Sequence, residues 1–321
     1  MKENIEILHK GIKYSILNSW DAMTPQTFLN YVRYLRKVET GEMPVGVLRI
    51  RVLCDLMGWK LRKFTDEEAM ANLVVLSEQL TFLFRIQYPD DNAALEGLTD
   101  EEYSKAVRVE PEHLDIPQRE TLMQLDYRYL PDLCFFRQML PSIKIGDMVF
   151  YGYKASCHNG ALSTSLTALR YIEASQALEQ NDDARLAAIL YAPDPYDSNQ
   201  AHALTEDVAQ AGPSILQAVK VNFMALQNFL YRKTPFALLT KFEKSGKVRA
   251  ITTTMADKLY DLSKDGLGNV TEVERMNVLT YLRILRKQTI DSVRQLHGMK
   301  MDIAKIAEEV GLPIEIITKI I

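Results

Sequence analysis

Apolar positions recur along this chain mostly at helical spacing, broken by a few short alternating stretches. Ile5 and Ile7, then Ile12, Tyr14 and Ile16, alternate with polar residues around Lys10-Gly11 and predict a hairpin over residues 4–17. A two-stranded hairpin is not stable alone, so it must lie on helices or pair elsewhere. Thr24-Pro25 then marks a helix start, with a capping hydroxyl and a proline whose missing N–H does no harm in the first turn. Phe28, Tyr31, Val32 and Leu35 give that helix one apolar face, and Gly41 ends it. Val45 to Met57 reads as the next helix, stopped by Gly58. Thr65-Asp66-Glu67-Glu68 has the form of a capping box, opening a long helix through Leu73, Leu76, Leu80, Leu83 and Phe84 that ends before Pro89. Thr99-Asp100-Glu101-Glu102 repeats the device. From Asp90 to Pro141 the chain is punctuated by Pro111, Pro117 and Pro131 and reads as short helices in an irregular, acidic and mostly exposed connector.

Residues 148–192 look like a second copy of residues 11–55. Each stretch starts with a short alternating strand, Ile12–Ile16 or Met148–Tyr151, and turns through a polar segment, Asn18–Asp21 or Ser156–Gly160. Each then enters a helix with a Tyr-aliphatic pair, Tyr34-Leu35 or Tyr171-Ile172, and a second helical run with Val52-Leu53 or Ile189-Leu190. The helical pairs Tyr34/Tyr171, Leu35/Ile172, Val52/Ile189 and Leu53/Leu190 are each 137 positions apart, as are Leu29/Leu166 and Val32/Leu169, and a constant spacing is the mark of a repeat. The competing reading is two unrelated strand–helix–helix units. Pro193-Asp194-Pro195 interrupts the pattern, and residues 194–212 read as a loop or a short helix from Thr205. Pro213 to Leu230 is a strong helix striped by Ile215, Val219, Phe223, Leu226 and Leu230. Ser245-Gly246 suggests a turn, and Val248 to Thr254 is β-prone. A capping box at Thr271–Glu274 predicts one helix through Val278, Leu282, Leu285 and Ile290 to Leu296, closed by Gly298. The fold expected is mainly α with small β hairpins, built with or without an internal duplication of a strand–helix–helix unit. It divides into residues 1–140 (hairpin, helices and acidic connector), 141–269 (second unit) and 270–321 (a C-terminal helix plus a helical hairpin).

Composition narrows the function classes. The chain has 321 residues, 47% of them apolar and 25% charged, which is ordinary for a globular protein with a sizeable core. A net charge of −4 gives no whole-chain pull toward nucleic acid or an anionic membrane. Charge is uneven, basic over residues 33–63 and acidic over 90–126, so the two stretches either face each other or form two solvated faces. Cys54, Cys134 and Cys157 lie far apart with no CxxC pair, which argues against a disulfide framework or a zinc site and fits a reducing compartment. Cys54 and Cys134 read as small core residues. The N-terminal Met-Lys-Glu-Asn carries no apolar leader, and no stretch approaches the ~20 apolar residues of a membrane-spanning helix. No membrane partner is expected.

Little of the chain carries bond-making chemistry. Gly266-x-Gly268 lacks the third glycine and the Lys-Ser/Thr pair of a phosphate loop. The five histidines show no metal-ligand spacing. Cys157 and His158 are adjacent, so in a strand they point to opposite faces; a turn residue and a buried thiol are expected there. The acid pairs Asp90-Asp91, Asp182-Asp183 and Asp194/Asp197 sit in turn-like surroundings and suit capping. No catalytic residue, cofactor or metal ligand is assigned, and the chain is not expected to be an enzyme.

The sharpest local pattern is Ile303 to Ile317, which resembles a helix-turn-helix: Ala307 at the close approach, Gly311 at the turn, Ile317 on the inner face. The helix before it is basic, and Arg283, Arg286, Lys287, Arg294 and Lys300, with Lys319 beyond, are candidate contacts to phosphates or a partner. The second helix offers Glu315, Thr318 and Lys319 where base readout needs Arg, Gln or Asn. Ile316, Ile320 and Ile321 are the residues expected to dock the hairpin, on its own domain or on a partner.

The entry Asn-Ser-Trp-Asp-x-Met-Thr-x-x-x-Phe over residues 18–28, with the preceding hairpin and the recurrence at 148–192, resembles uncharacterised helical proteins of tail and neck gene clusters in phages and prophages. That resemblance implies a virion component or assembly factor in a bacterial host cytoplasm, in some cases incorporated into the particle, and it transfers no functional residues. The function expected is a structural or assembly protein whose partners are other proteins of the same particle or itself. The alternative is a nucleic-acid-binding factor using residues 275–321.

Overall fold

In a computed structural model the chain forms two compact units, Met1–Leu133 and Cys134–Ile321. The structure describes residues 4–9, 11–89, 91–240, 255–264 and 266–321. The turn and β-prone run expected at residues 245–254 lie outside them.

The first unit opens with the expected hairpin, β1 (Asn4–His9) and β2 (Ile12–Leu17), which buries Ile5, Ile7 and Ile16 on one face. A turn at Trp20 leads to α1 (Pro25–Glu39), capped by Thr24 and buried along Phe28, Tyr31, Val32 and Leu35. Next is α2 (Val45–Met57), which ends where Gly58 takes a left-handed conformation (φ +66°) that other residues adopt only with strain. The Trp20 indole N–H donates to the Asp132 carbonyl at 3.1 Å, and its ring meets Tyr31 and Phe82 edge-on at 5.1 and 5.2 Å. The helix after it, α3 (Glu67–Glu78), is shorter than its apolar pattern predicts and is capped by Asp66 rather than Thr65. Phe84–Gln87 leave it to form strand β3. Phe84 and Ile86 are buried while Arg85 and Gln87 are half-exposed, a period of two that one helix cannot satisfy.

The acidic connector is not a mere connector. It contains α4 (Asp91–Ala94), α5 (Asp100–Ala106) with the expected Thr99 capping box, α6 (Arg119–Met123), and β4 (Arg128–Pro131) paired antiparallel with β3. Ile86, Tyr88, Leu95, Val107, Leu114 and Leu122 make a core of their own there. The basic and acidic stretches meet in one buried pair. Arg49 donates to the Glu110 carboxylate, which also accepts from the Tyr129 hydroxyl at 3.1 Å, and the guanidinium lies 4.7 Å from the Tyr129 ring centre.

The second unit starts with two hairpins, β5 (Ser142–Ile145) with β6 (Met148–Tyr151), and β7 (Ala155–His158) with β8 (Ala161–Thr164). The second hairpin replaces the polar turn expected at 156–160. Asn159 and Gly160 both have positive φ, the conformation a tight two-residue hairpin turn demands. Then come α7 (Ala168–Glu179), α8 (Asp183–Tyr191), α9 (Ser198–Ala203), α10 (Thr205–Ala209) and the long α11 (Pro213–Lys233). Helix α12 (Met255–Lys264) leads to α13 (Val270–Arg275), capped by Asn269 with Glu272 rather than by Thr271, and to α14 (Val278–Gly298). Two helices thus stand where one was expected. The break comes at Met276-Asn277, where the Asn277 side chain accepts from the Leu279 N–H and restarts the helix. The chain closes with α15 (Ile303–Val310), a left-handed Gly311 and α16 (Ile314–Ile320). The fold is mainly helical with four small two-stranded antiparallel hairpins among the described residues.

The offset of 137 does not map one stretch onto the other element for element. Leu29 lies inside α1 whereas Leu166 precedes α7, and Tyr34 is half-buried whereas Tyr171 is fully buried. A common order of strand and two helices is what they share, and the duplication is not established.

Helix α8 is the centre of the second unit, flanked by α7, α9, α10 and α11. Its C-terminal carbonyls are held by Arg170 of α7, which is 1% exposed. The guanidinium donates to the carbonyls of Ile189 at 2.9 Å and of Leu190 and Ala192 at 2.8 Å, and pairs with Asp194 at 3.0 Å. Burial pulls the Arg170 pKa below the ordinary guanidinium value, and the Asp194 carboxylate opposes that pull. Replacing Arg170 by Met should lower the stability of this unit by about 3 kcal/mol, because bonds from a charged donor to three carbonyls are lost inside the protein. Urea unfolding followed by circular dichroism should show the earlier transition. Tryptophan fluorescence reports the first unit, where both tryptophans (Trp20 and Trp59) lie, so the circular dichroism trace is the readout for the second. A circular dichroism midpoint that does not move would show that Arg170 is not what secures the end of α8.

Candidate nucleic-acid or partner-docking surface

Helix α14 positions the basic residues. Arg283, Lys287, Ile290 and Arg294 follow one another at intervals of four, three and four, so they share one face of the helix, and Arg286, three beyond Arg283 and four before Ile290, borders it. The opposite face, with Tyr281, Leu282, Leu285 and Val293, is buried. From Arg283 to Arg294 the stripe runs about 16 Å at the rise of an α-helix. Among the described residues, Arg283, Arg286 and Lys287 have no ion-pair partner. Arg294 is partly committed, its Nε–H reaching the Ile320 carbonyl at 3.5 Å.

The start of α14 is tethered beside the β7–β8 hairpin. The Val278 N–H donates to the Leu166 carbonyl at 2.9 Å, and the Asn277 side-chain amide to the Thr164 carbonyl at 2.7 Å. In return the Ala168 N–H donates to the Met276 carbonyl at 2.8 Å. These bonds hold Leu279 and Arg283 next to the hairpin and open a cleft of about 560 Å³ between it, the C-terminal end of α11 and the turn at Pro235–Leu239. Such a volume is within the ~300–1,000 Å³ usual for ligand sites. Its lining combines apolar residues (Leu162, Phe229, Phe236, Leu279) with three cations (Lys233, Arg283, Arg286), and has no carboxylate. Lys233 likewise lacks an ion pair among the described residues. The Nε of Arg286 is buried without a hydrogen-bond partner, an arrangement that costs roughly 1–3 kcal/mol or more for a polar group removed from water.

The structure brings Arg283 and Arg286 together in this cleft, with Lys287 on the same helical face. Lys300 and Lys319 are exposed and do not line it. The C-terminal hairpin has the expected form. Ala307 and Ile317 are buried with Val293, Ile306 and Leu312, while Ile316 and Ile320 are half-buried against that cluster. Ile321 is 46% exposed, and Ile314 is similarly open. Sequence reading missed Lys233, Phe229 and Phe236. The Thr234-Pro235 pair that ends α11 and starts the next turn was the available signal.

Other ionisable groups are spent locally. A larger hollow of about 950 Å³ in the first unit is lined by charges of both signs, and several are committed: Lys105 pairs with Glu101, Arg108 pairs with Asp132 outside the lining, and His113 hydrogen-bonds Glu78 at 3.2 Å. Among the described residues no three His, Cys, Asp or Glu side chains converge closely enough to hold a metal ion. No described helix is long and apolar enough to cross a membrane. Cys157 departs from the buried thiol expected of it: it is exposed on β7 and lines the cleft. Cys54 is buried and Cys134 half-buried. Comparison with protein-family models, with curated proteins and with solved structures yields no match.

Burial, reinforced by the neighbouring Asp55, pushes the Cys54 thiol up to about 11. A raised thiol pKa keeps the group protonated at pH 8, and the thiolate is the reactive form. At that pH a disulfide reagent should therefore modify Cys157 fast and leave Cys54 untouched until the chain unfolds. Cys157→Ser should remove the fast phase in a stopped-flow absorbance trace; a fast phase that survives would mean that another thiol is open.

Proposed function

We propose that this chain is a structural or assembly protein of a phage-like particle, and that it works by docking other proteins. The cleft beside α14 carries the reading. A recess with an apolar floor and unpaired cations at its side suits a protruding apolar side chain from a partner, oriented by charge. Hairpin β5–β6 adds support. Met148, Val149 and Tyr151 are exposed on a strand whose outer edge has no pairing partner among the described residues. The phage-like setting rests on the resemblance of residues 18–28 and on nothing geometric. Partners on this reading are other proteins of the particle or a second copy of the chain.

A second reading, nucleic-acid binding, is favoured by one observation, the line of Arg283, Lys287 and Arg294 along one helical face. Against it, α16 offers Glu315, Thr318 and Lys319 where base edges would be read, and Arg294 already reaches Ile320.

One pair of measurements separates the two. Co-expression with the products of neighbouring genes should give a complex that co-elutes on size exclusion, and a chain that always elutes alone would defeat the docking reading. On random duplex DNA at low salt the chain should cause no mobility shift. A shift that weakens steeply with salt and disappears in Arg283→Glu/Lys287→Glu would establish the second reading instead.

A further inference from the structure

We infer that the cleft between hairpin β7–β8, the end of α11 and the start of α14 takes an extended, carboxylate-bearing segment of a partner protein, anchored by one bulky apolar side chain. The inference rests on the docking reading above and names the chemistry of its partner.

The charge is one-sided. Lys233, Arg283 and Arg286 line the cleft with no carboxylate among the lining residues and no ion pair among the described ones. Two of the three cations, Arg283 and Arg286, are guanidiniums, which a carboxylate matches in geometry. The floor decides between a peptide and a nucleic acid. Bases bind single-stranded sites by stacking on open aromatic faces. Here Phe236 is 5% exposed, and Phe229 is half-buried against Phe136 at 5.8 Å, so the rings present a recess to fill and no platform to stack on.

Spacing gives the segment's pattern. Lys287 is four residues beyond Arg283 on the same face, about 6 Å along the helix. Two residues of extended chain cover about the same distance, and side chains two apart point the same way. An apolar anchor, a spacer, an acid, a spacer and a second acid would therefore place the anchor in the recess and one carboxylate on each of Arg283 and Lys287.

The test uses the full chain and a fluorescein-labelled peptide, Gly-Ser-Phe-Ser-Asp-Ser-Glu-Ser-Gly. Anisotropy at low salt should report binding, and bound peptide should slow alkylation of the exposed Cys157. Arg283→Glu should weaken binding at least about tenfold, and the partner peptide with Lys in place of Asp should recover most of that loss on the variant. Arg283 and Lys233 are exposed, so Arg283→Glu and Lys233→Glu should melt like the parent by circular dichroism. A peptide with Ser in place of Phe should bind at least about tenfold more weakly. The inference is overturned if the parent peptide does not bind, if loss of Phe costs nothing, or if Arg283→Glu changes nothing. It is equally overturned if a single-stranded oligonucleotide protects Cys157 better than the peptide does. Failure here while a co-expressed partner still co-elutes removes the cleft as the seat of docking; loss of co-elution removes the docking reading itself.

Discussion

Three hydrogen bonds at the Met276-Asn277 break do more than start a helix. They fasten the beginning of α14 to the segment that joins β8 to α7, through Thr164, Leu166 and Ala168. Without that strap the apolar side of α14 could still pack, but Leu279 and Arg283 would have no fixed distance from the hairpin that faces them. The cleft is thus a product of backbone pairing between residues over a hundred positions apart, with the side chains filling a frame already set. Arg170 has the matching role deeper in the unit, where a single guanidinium gathers the loose carbonyls at the end of α8.

Both devices place charge or polarity where the cost of leaving it unmatched is high. Arg170 and Arg49 are each almost wholly buried, and each is surrounded by acceptors or aromatic rings. The cations of the cleft are the contrast. Arg283 and Lys233 are exposed and Arg286 half-buried, and none has an acidic neighbour to answer it among the described residues. Arg170 answers buried carbonyls and Arg49 a buried carboxylate, whereas Lys233, Arg283 and Arg286 line the cleft from two helices with no ion pair among the described residues, which is how a binding surface distributes charge.

Much of the helical scaffold was legible because its signals are local. Thr24-Pro25, the Thr99 box and Gly58 each mark a boundary through the chemistry of one turn, and α1, α2 and α5 begin or end there. The losses came where a decision depends on a distant partner. Phe84-Arg85-Ile86-Gln87 continues a helical apolar series on paper, and only pairing with Arg128–Pro131 makes it a strand. Asn159-Gly160 carried a hairpin signal that was masked by reading the segment as the counterpart of Asn18–Asp21. Arg283 and Lys287, bordered by Arg286, were recognisable as one basic face from spacing alone. Their association with Lys233, Phe229 and Leu162 was not, because it is created by the strap.

The outer rim of β6 has a consequence for the protein in quantity. A short strand with Met148, Val149 and Tyr151 open to water and its backbone groups unpaired along one side is adhesive toward its own kind. Within β5 and β6 only Lys144, directly across from Val149, carries a charge that would make such stacking unfavourable. Lys144 is thus the residue of the two strands whose charge opposes edge-to-edge association of this hairpin as concentration rises.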